Sequence, residues 1–159
     1  MLPARVALVL ALVVGAASGC SREPAFEDRT ARVALDGDTT TFQVDSCGRD
    51  GETVFVVGRT DDGAVLQAVV GVEDDGETGV PASTGLSVTE VDLPVSAFGE
   101  EAWARRAEAG EPPGEVRSAR VRGARIQAAG DAQPVDVEGQ PNSGDPVPFT
   151  FDARCDAED

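Results

Sequence analysis

The chain has 159 residues and a formal net charge of −16 at pH 7, and it contains no histidine. Its length fits one domain with a single core. The lack of histidine excludes Ser-His-Asp and Cys-His catalytic arrangements and imidazole metal ligands. The acidic balance disfavours nucleic acid as a partner, since nucleic-acid binding depends on neutralising phosphates. The sequence predicts no cofactor, because no phosphate-binding loop or dinucleotide fingerprint occurs in it.

The N-terminal segment is typical of a secretory signal peptide. Residues 1–5 carry one positive charge and no acid, and residues 6–17 are apolar. About a dozen apolar residues are too few for a helix to span roughly 30 Å of hydrocarbon. The order of charged, apolar and small residues instead indicates a cleaved signal. We therefore predict a signal peptide over residues 1–19.

Cys20 follows Ala-Ser-Gly, and this junction resembles the cleavage site of bacterial lipoproteins. The resemblance implies a diacylglycerol on the Cys20 sulfur and a mature chain that begins at Cys20. Such a chain would be lipid-anchored on the extracytoplasmic face of the cell membrane. Ala17 stands where leucine is commonest in such sites. The alternative is an ordinary signal peptide with an incidental cysteine. Residues 20–30 then form the acylated cysteine and a polar, flexible tether.

The region 31–159 has the pattern of a β-rich extracytoplasmic domain. Asp-Gly turns separate four β-type runs, which favours an antiparallel meander; the runs cover residues 31–35, 41–47, 53–58 and 64–72. The run at 53–58 is continuously apolar, which predicts a strand buried on both faces. Residues 73–85 are acidic and Gly-rich and predict a loop.

The second half of this region mixes strands with one helical segment. The pattern predicts a strand over 86–95 that bulges or ends near Glu90, followed by a helix near 97–109. It then predicts a strand over 115–129 with a bulge at Gly123 and a short strand over 134–138. A loop over 139–146 leads to the last predicted strand, over 147–155. The predicted fold is therefore mainly β, an antiparallel β-sandwich or a strongly curved sheet with one short helix.

Two cysteines remain once Cys20 is assigned to lipidation. Cys47 and Cys155 are an even pair in an exported domain, where disulfides form and persist, so we predict a bond between them. The alternative is two free thiols. In a regular strand Cys47 would point to the face opposite to that of Phe42 and Val44, so either a bulge intervenes or the bond ties a strand end.

Few residues suggest a site. Arg117, Arg120, Arg122 and Arg125 form a basic cluster, which could hold an acidic glycan, a lipid phosphate or a protein carboxylate, or simply pair with neighbouring acids. The acidic loop with Asp74, Asp75 and Glu77 could hold calcium, but its spacing does not match a calcium-binding loop, so a solvated loop is the plainer interpretation. The adjacent Glu100 and Glu101 do not face each other on a helix.

The order of these features resembles the mycobacterial lipoprotein antigen family (LpqH type). The matching parts are the Cys20 junction, ARVALDGDTTTFQVDSC over residues 31–47, a β-hairpin over 56–72, and a terminal PVPFTFDARC. The segment 96–114 departs from the family as an insertion. The resemblance implies a surface lipoprotein without established enzyme activity, and it carries over no catalytic residue.

We therefore expect a lipid-anchored, non-enzymatic envelope protein with a monomeric ectodomain, whose partner is an envelope protein, a lipid or a glycan. The alternative is a binding module for a small apolar, lipid or glycan ligand between two sheets. A third class is an enzyme that uses two carboxylates. An apolar cavity of several hundred Å³ would favour the binding module, whereas two facing carboxyl groups in a cleft would favour the enzyme.

Overall fold

The computed structural model of the chain describes residues 27–90, 94–106 and 110–156. The predicted signal peptide, Cys20 and most of the tether lie outside these residues. The described part contains nine strands and one helix: β1 (Thr30–Leu35), β2 (Asp38–Asp50), β3 (Thr53–Arg59), β4 (Val65–Val72), β5 (Gly79–Thr89), β6 (Val95–Phe98), α1 (Glu100–Arg105), β7 (Glu115–Arg122), β8 (Arg125–Pro134) and β9 (Val147–Arg154).

The strands form one antiparallel sheet in the order β6-β5-β4-β3-β2-β1-β9-β8-β7, and β6 also pairs with β8. That second pairing closes eight strands into a barrel, while β7 lies beside β8 and against the start of β5. The chain is mainly β with one short helix, as predicted, but the predicted sandwich is wrong. The sheet curves until its edges meet, and closure removes most of the exposed strand edges.

The first four strands form the predicted antiparallel meander, with β1 to β4 each paired to the next strand. The first turn places Asp36 and Gly37 at positive φ, 49° and 91°, as the tight two-residue hairpin turns require. The prediction that the apolar run at 53–58 is buried on both faces is wrong. Val54 and Val56 point into the barrel, whereas Phe55 and Val57 are only partly covered on the outer face.

The region after β4 is more regular than its acidic composition predicts. Only residues 73–78 form a loop, because β5 begins at Gly79 and pairs with the end of β4. The register then shifts between Val69 and Gly71. At the shift the Thr84 hydroxyl accepts a hydrogen bond from the Gly71 N–H (3.2 Å) and donates one to the Val80 carbonyl (2.8 Å). The predicted strand end near Glu90 is confirmed, since β5 ends at Thr89.

The helix is shorter than predicted, since residues 96–98 belong to β6 and α1 begins only after Gly99. Phe98 pairs in the sheet, and its ring lies 5.4 Å from that of Trp103, a residue of α1. These rings and Ala102 form a small apolar cluster that is separate from the main core. The Trp103 indole N–H donates to the Gly110 carbonyl at 3.2 Å. The helix therefore covers the outside of the barrel beside β5 and adds little to its interior.

The last strands correct two further expectations. Gly123 lies in a hairpin turn between β7 and β8, with φ of 52°, and the bulge falls instead between Val116 and Ser118. The predicted short strand over 134–138 is wrong. β8 ends at Pro134, and the Asp136 carboxylate then accepts hydrogen bonds from backbone N–H groups of the following turn.

The barrel interior is filled by apolar side chains. The largest fully buried ones come from five different strands: Phe42, Phe151, Leu66, Leu86 and Ile126. The predicted inward face of the last strand is confirmed, because Phe149, Phe151 and Ala153 are all buried. An eight-stranded barrel is just wide enough to be filled in this way.

Candidate functional site

One end of the barrel carries a cleft of about 660 Å³. Both described chain ends lie there, together with the β2–β3 turn, the loop over residues 73–78 and the β7–β8 turn. We call this space the mouth cleft. Its floor is apolar and its rim is charged; the floor is formed by Val54, Val121, Ile126 and the Cys47–Cys155 pair, and the rim by Arg29, Arg49, Asp75, Glu77 and Asp156.

The predicted bond between Cys47 and Cys155 is present, with the two Cα atoms 5.8 Å apart. Cys47 lies within β2 and Cys155 directly follows β9, and β1 separates these two strands elsewhere in the sheet. β1 begins at Thr30, opposite Arg154 of β9. Beyond Thr30 no strand separates β2 from β9, and the disulfide joins them directly. It therefore closes the barrel wall at the mouth where β1 is missing.

A bulge in β2 determines which face of the strand Cys47 lies on. The β2–β3 register shifts between Val44 and Ser46, so Asp45 is the extra residue and Cys47 turns toward the interior. The Arg59 guanidinium binds the Asp45 carboxylate at 2.6 Å, and the Arg29 guanidinium donates to the Asp45 carbonyl at 2.8 Å. Of the two alternatives left open by the sequence, the bulge is the correct one.

The described N-terminus is held at the cleft by its arginine. Besides its bond to Asp45, the Arg29 guanidinium pairs with the Asp156 carboxylate at 3.0 Å. Next to it, the Asp28 carboxylate pairs with the Arg154 guanidinium at 2.5 Å. The chain therefore enters the domain at the mouth, and both chain ends are tied together beside the disulfide.

The loop over residues 73–78 forms one side of the cleft and is organised by Asp75. Its carboxylate accepts hydrogen bonds from the Thr78 hydroxyl at 2.5 Å and from the backbone N–H groups of Glu77 and Thr78 at 2.8 Å. These bonds, with the Thr78 hydroxyl first, lower the pKa of Asp75 below its usual value. Asp75 is therefore an ionised turn residue, unlike the raised-pKa carboxyl of a general acid.

Arg49 supports the same loop from β2. Its guanidinium lies directly against Gly76, where any Cβ would overlap it, and Gly76 has a φ of 72°. The Arg49 Nε donates to the Gly51 carbonyl at 2.9 Å. The neighbouring Glu77 carboxylate has no hydrogen bond or ion pair within residues 27–90, 94–106 and 110–156. Arg49 and Glu77 therefore contribute one cation and one anion to the lining of the cleft.

Of the four arginines in the predicted basic cluster, two form ion pairs and two do not within the described residues. Arg117 forms an ion pair with Asp131, which raises the pKa of the guanidinium, and Arg125 pairs with Asp152 at 2.5 Å. Arg120 and Arg122 are exposed on the outer face of β7, and neither forms an ion pair in the described part of the chain. For Arg117 and Arg125, pairing with neighbouring acids is thus the correct interpretation.

A smaller groove of about 330 Å³ adjoins the mouth cleft between β7 and the start of β5. It shares Glu77 and Val121 with the cleft and is also lined by Arg120. The Val121 N–H donates to the Glu77 carbonyl at 3.1 Å. At the same place, a side chain at Gly79 would overlap the backbone of Ala119. The backbones of β7 and of the start of β5 are therefore in direct contact along this groove.

The described residues contain no group of acidic side chains that could hold calcium. Among residues 27–90, 94–106 and 110–156, no three His, Cys, Asp or Glu side chains are grouped so that they could hold a metal ion. Asp74, Asp75 and Glu77 belong to these residues and form no such group. In the same residues, no helix is both long enough and apolar enough to span a membrane.

No protein-family model matches the sequence, and no curated protein matches it significantly. Sequence reasoning missed the mouth cleft, because its lining comes from five separate chain segments. The one signal that pointed to it was the cysteine pair.

Proposed function

We propose that this protein is an exported, lipid-anchored, non-enzymatic binding protein whose ligand site is the mouth cleft. The observation that carries the proposal is an apolar-floored cleft of about 660 Å³ at the end where the chain enters the domain. Clefts of this size with a few convergent polar groups are the usual form of small-molecule sites. The site lies at a barrel mouth, and the earlier expectation of a ligand between two sheets is wrong because the barrel leaves no such space.

The anchor part of the proposal rests on the sequence junction at Cys20. Arg29, which lines the cleft, comes nine positions after Cys20, and an extended chain over that distance spans about 30 Å. An acylated Cys20 would therefore hold the mouth within about 30 Å of the membrane surface. The cleft would then open close to the lipid headgroups.

The absence of catalysis is also a proposal, and two features support it. The sequence contains no histidine. The Asp75 carboxylate at the cleft is engaged by three hydrogen bonds and has a lowered pKa. Neither feature suits acid–base chemistry near neutral pH.

Anchoring is tested by Cys20→Ser in the native host, followed by fractionation of cells and medium. We expect the substituted protein to leave the membrane fraction, since its thioether-linked lipid is absent. The matched control is Ser21→Ala, which keeps the cysteine and should remain membrane-bound. Full membrane retention of Cys20→Ser would contradict lipid anchoring.

Ligand binding is tested by native mass spectrometry of the protein extracted from its own membranes. Acyl mass at Cys20 persists in a denatured control, whereas a cleft ligand appears only under native conditions. Ala124→Phe places a ring in the cleft and should remove the native-only adduct; Ala34→Phe, on the outer face at the opposite end, should retain it. A native adduct that survives Ala124→Phe, or no adduct at all, would contradict binding in the cleft.

A further inference from the structure

We infer that the ligand of the mouth cleft is a single-chain amphiphile with a zwitterionic head, in which an anionic group and an ammonium group are close together. This inference rests on the proposed function, because it assigns a ligand class to the same cleft. The apolar chain would lie on the floor, the anionic group at Arg49 and the ammonium group at Glu77.

The floor accounts for the apolar part of the ligand. Val54, Val121 and Ile126 are 7%, 6% and 1% exposed, so they already belong to the core and present an apolar base to the cleft. The disulfide continues this base toward the chain ends. The barrel below is filled, so a ligand lies across the mouth. One flexible hydrocarbon chain suits this shallow base better than two chains or a bulky ring system.

The charges on the rim account for the head. Arg29 and Asp156 pair with each other, and Asp75 is bound by its own loop. Within the described residues, this leaves the terminal nitrogens of Arg49 and the carboxylate of Glu77 without hydrogen-bond partners. A phosphate suits the guanidinium geometry, and an ammonium group suits the carboxylate.

The position of these two groups favours a zwitterion over an anion. The Arg49 guanidinium lies against Gly76, the residue before Glu77, and both Arg49 and Glu77 line the cleft. A purely anionic head at Arg49 would meet the Glu77 carboxylate. It would also be repelled by the whole chain, whose net charge is −16. A zwitterionic head avoids both repulsions.

The test titrates three single-chain lipids with the same palmitoyl chain into the full-length protein in detergent, with native mass spectrometry as the readout. The probes are lysophosphatidylethanolamine, lysophosphatidylglycerol and palmitate. We expect lysophosphatidylethanolamine to bind most tightly. Glu77→Gln should weaken its binding roughly fivefold while leaving lysophosphatidylglycerol unchanged or tighter, and Arg49→Gln should weaken both lysophospholipids roughly fivefold.

Two substitutions far from the cleft serve as controls. Glu138→Gln and Arg106→Gln remove the same charges elsewhere and should change none of the affinities. Fluorescence of Trp103, the only tryptophan, verifies that each variant is folded. Equal affinity for all three probes would overturn the zwitterion inference and leave ligand binding standing. Preference for lysophosphatidylglycerol would overturn it in favour of an anionic head. Binding of no probe would overturn both the inference and the proposed function.

Discussion

Replacing Cys47 and Cys155 together by alanine tests how the mouth of the barrel is held. In the native structure β1 separates β2 from β9 up to Thr30, and beyond that residue the disulfide is the covalent link between β2 and the end of β9. Without the bond, the wall at the mouth depends on hydrogen bonds such as the one from the Cys155 N–H to the Ala124 carbonyl, at 2.9 Å. We therefore expect both a global and a local loss of stability.

The global loss follows from the sequence separation of 108 residues between the cysteines. Chain-entropy reasoning gives about 4.8 kcal/mol for closing a loop of that size in the unfolded chain, and removal of a native disulfide from a small exported domain costs about 2–5 kcal/mol. Small domains have total stabilities of only about 5–15 kcal/mol. We therefore expect the unfolding free energy of the double variant to fall by about 2–5 kcal/mol.

The assay is urea unfolding followed by Trp103 fluorescence, combined with native-state hydrogen exchange. Trp103 is the only tryptophan and the chain has no tyrosine, so the emission reports one site. Exchange should accelerate most at residue 155 and at the Val44 N–H, which binds the Arg29 carbonyl at the mouth. The N–H of Asp36, at the opposite end, should follow only the global loss. Wild-type protein with a reductant should behave like the double variant.

A loss below about 1 kcal/mol would refute this reasoning, because it would mean that the unfolded chain gains little freedom when the bond is absent. Uniform acceleration of exchange along the whole chain would also count against it. That result would show that the disulfide stabilises the barrel as a unit and has no special role at the mouth.

Two further predictions concern the loop beside the cleft. Gly76→Ala should cost about as much as Gly63→Ala, roughly 1 kcal/mol of backbone strain, since both glycines have positive φ and the atoms against Gly76 are the flexible end of the Arg49 side chain, which can move aside. A clearly larger loss for Gly76→Ala in urea unfolding would show that the Arg49 guanidinium is held rigidly against the loop. The pKa of Asp75 is lowered in the folded state, so its stabilisation is present above pH about 4 and is lost as the pH falls through the folded value. Asp75→Asn should therefore destabilise the protein at pH 6 and approach the wild type near pH 2. A stability difference from the wild type that is the same at both pH values would contradict the assignment.

The proposed anchor would determine which way the mouth cleft faces. If the acylated cysteine lies nine residues before Arg29, the cleft opens toward the membrane within about 30 Å of it. A ligand could then pass between bilayer and protein over a short distance. The acidic turns at Asp36, Asp38, Asp61 and Asp62 lie at the opposite end, so they would face away from the surface.

Local patterns in the sequence determined much of the secondary structure. The Asp-Gly turns and alternating runs predicted the β1–β4 meander, and Phe149, Phe151 and Ala153 were correctly placed on one inward face. Turn chemistry and strand alternation depend on neighbouring residues, so they can be read without knowing the fold. The disulfide was predictable for a different reason, namely that two cysteines remained in a chain that is predicted to be exported.

Predictions failed where a distant partner decides the outcome. Residues 96–98 have helical composition but pair with β5, and β5 begins at Gly79 because β4 offers it an edge. The apolar run at 53–58 does not reveal whether one or both faces of its strand are covered. In this barrel only the inner face is covered by the core.

Taken alone, the sequence determined that the domain is β-rich, that Cys47 pairs with Cys155, and that histidine-based chemistry is absent. Only the tertiary structure decided that the sheet closes through β6 and β8, that a bulge at Asp45 turns Cys47 inward, and that Arg49 and Glu77 line one cleft. The physical reason is that closure, register and the site arise from contacts between residues far apart in the chain. Those contacts are fixed by how the whole barrel packs and leave no periodic signal in the sequence.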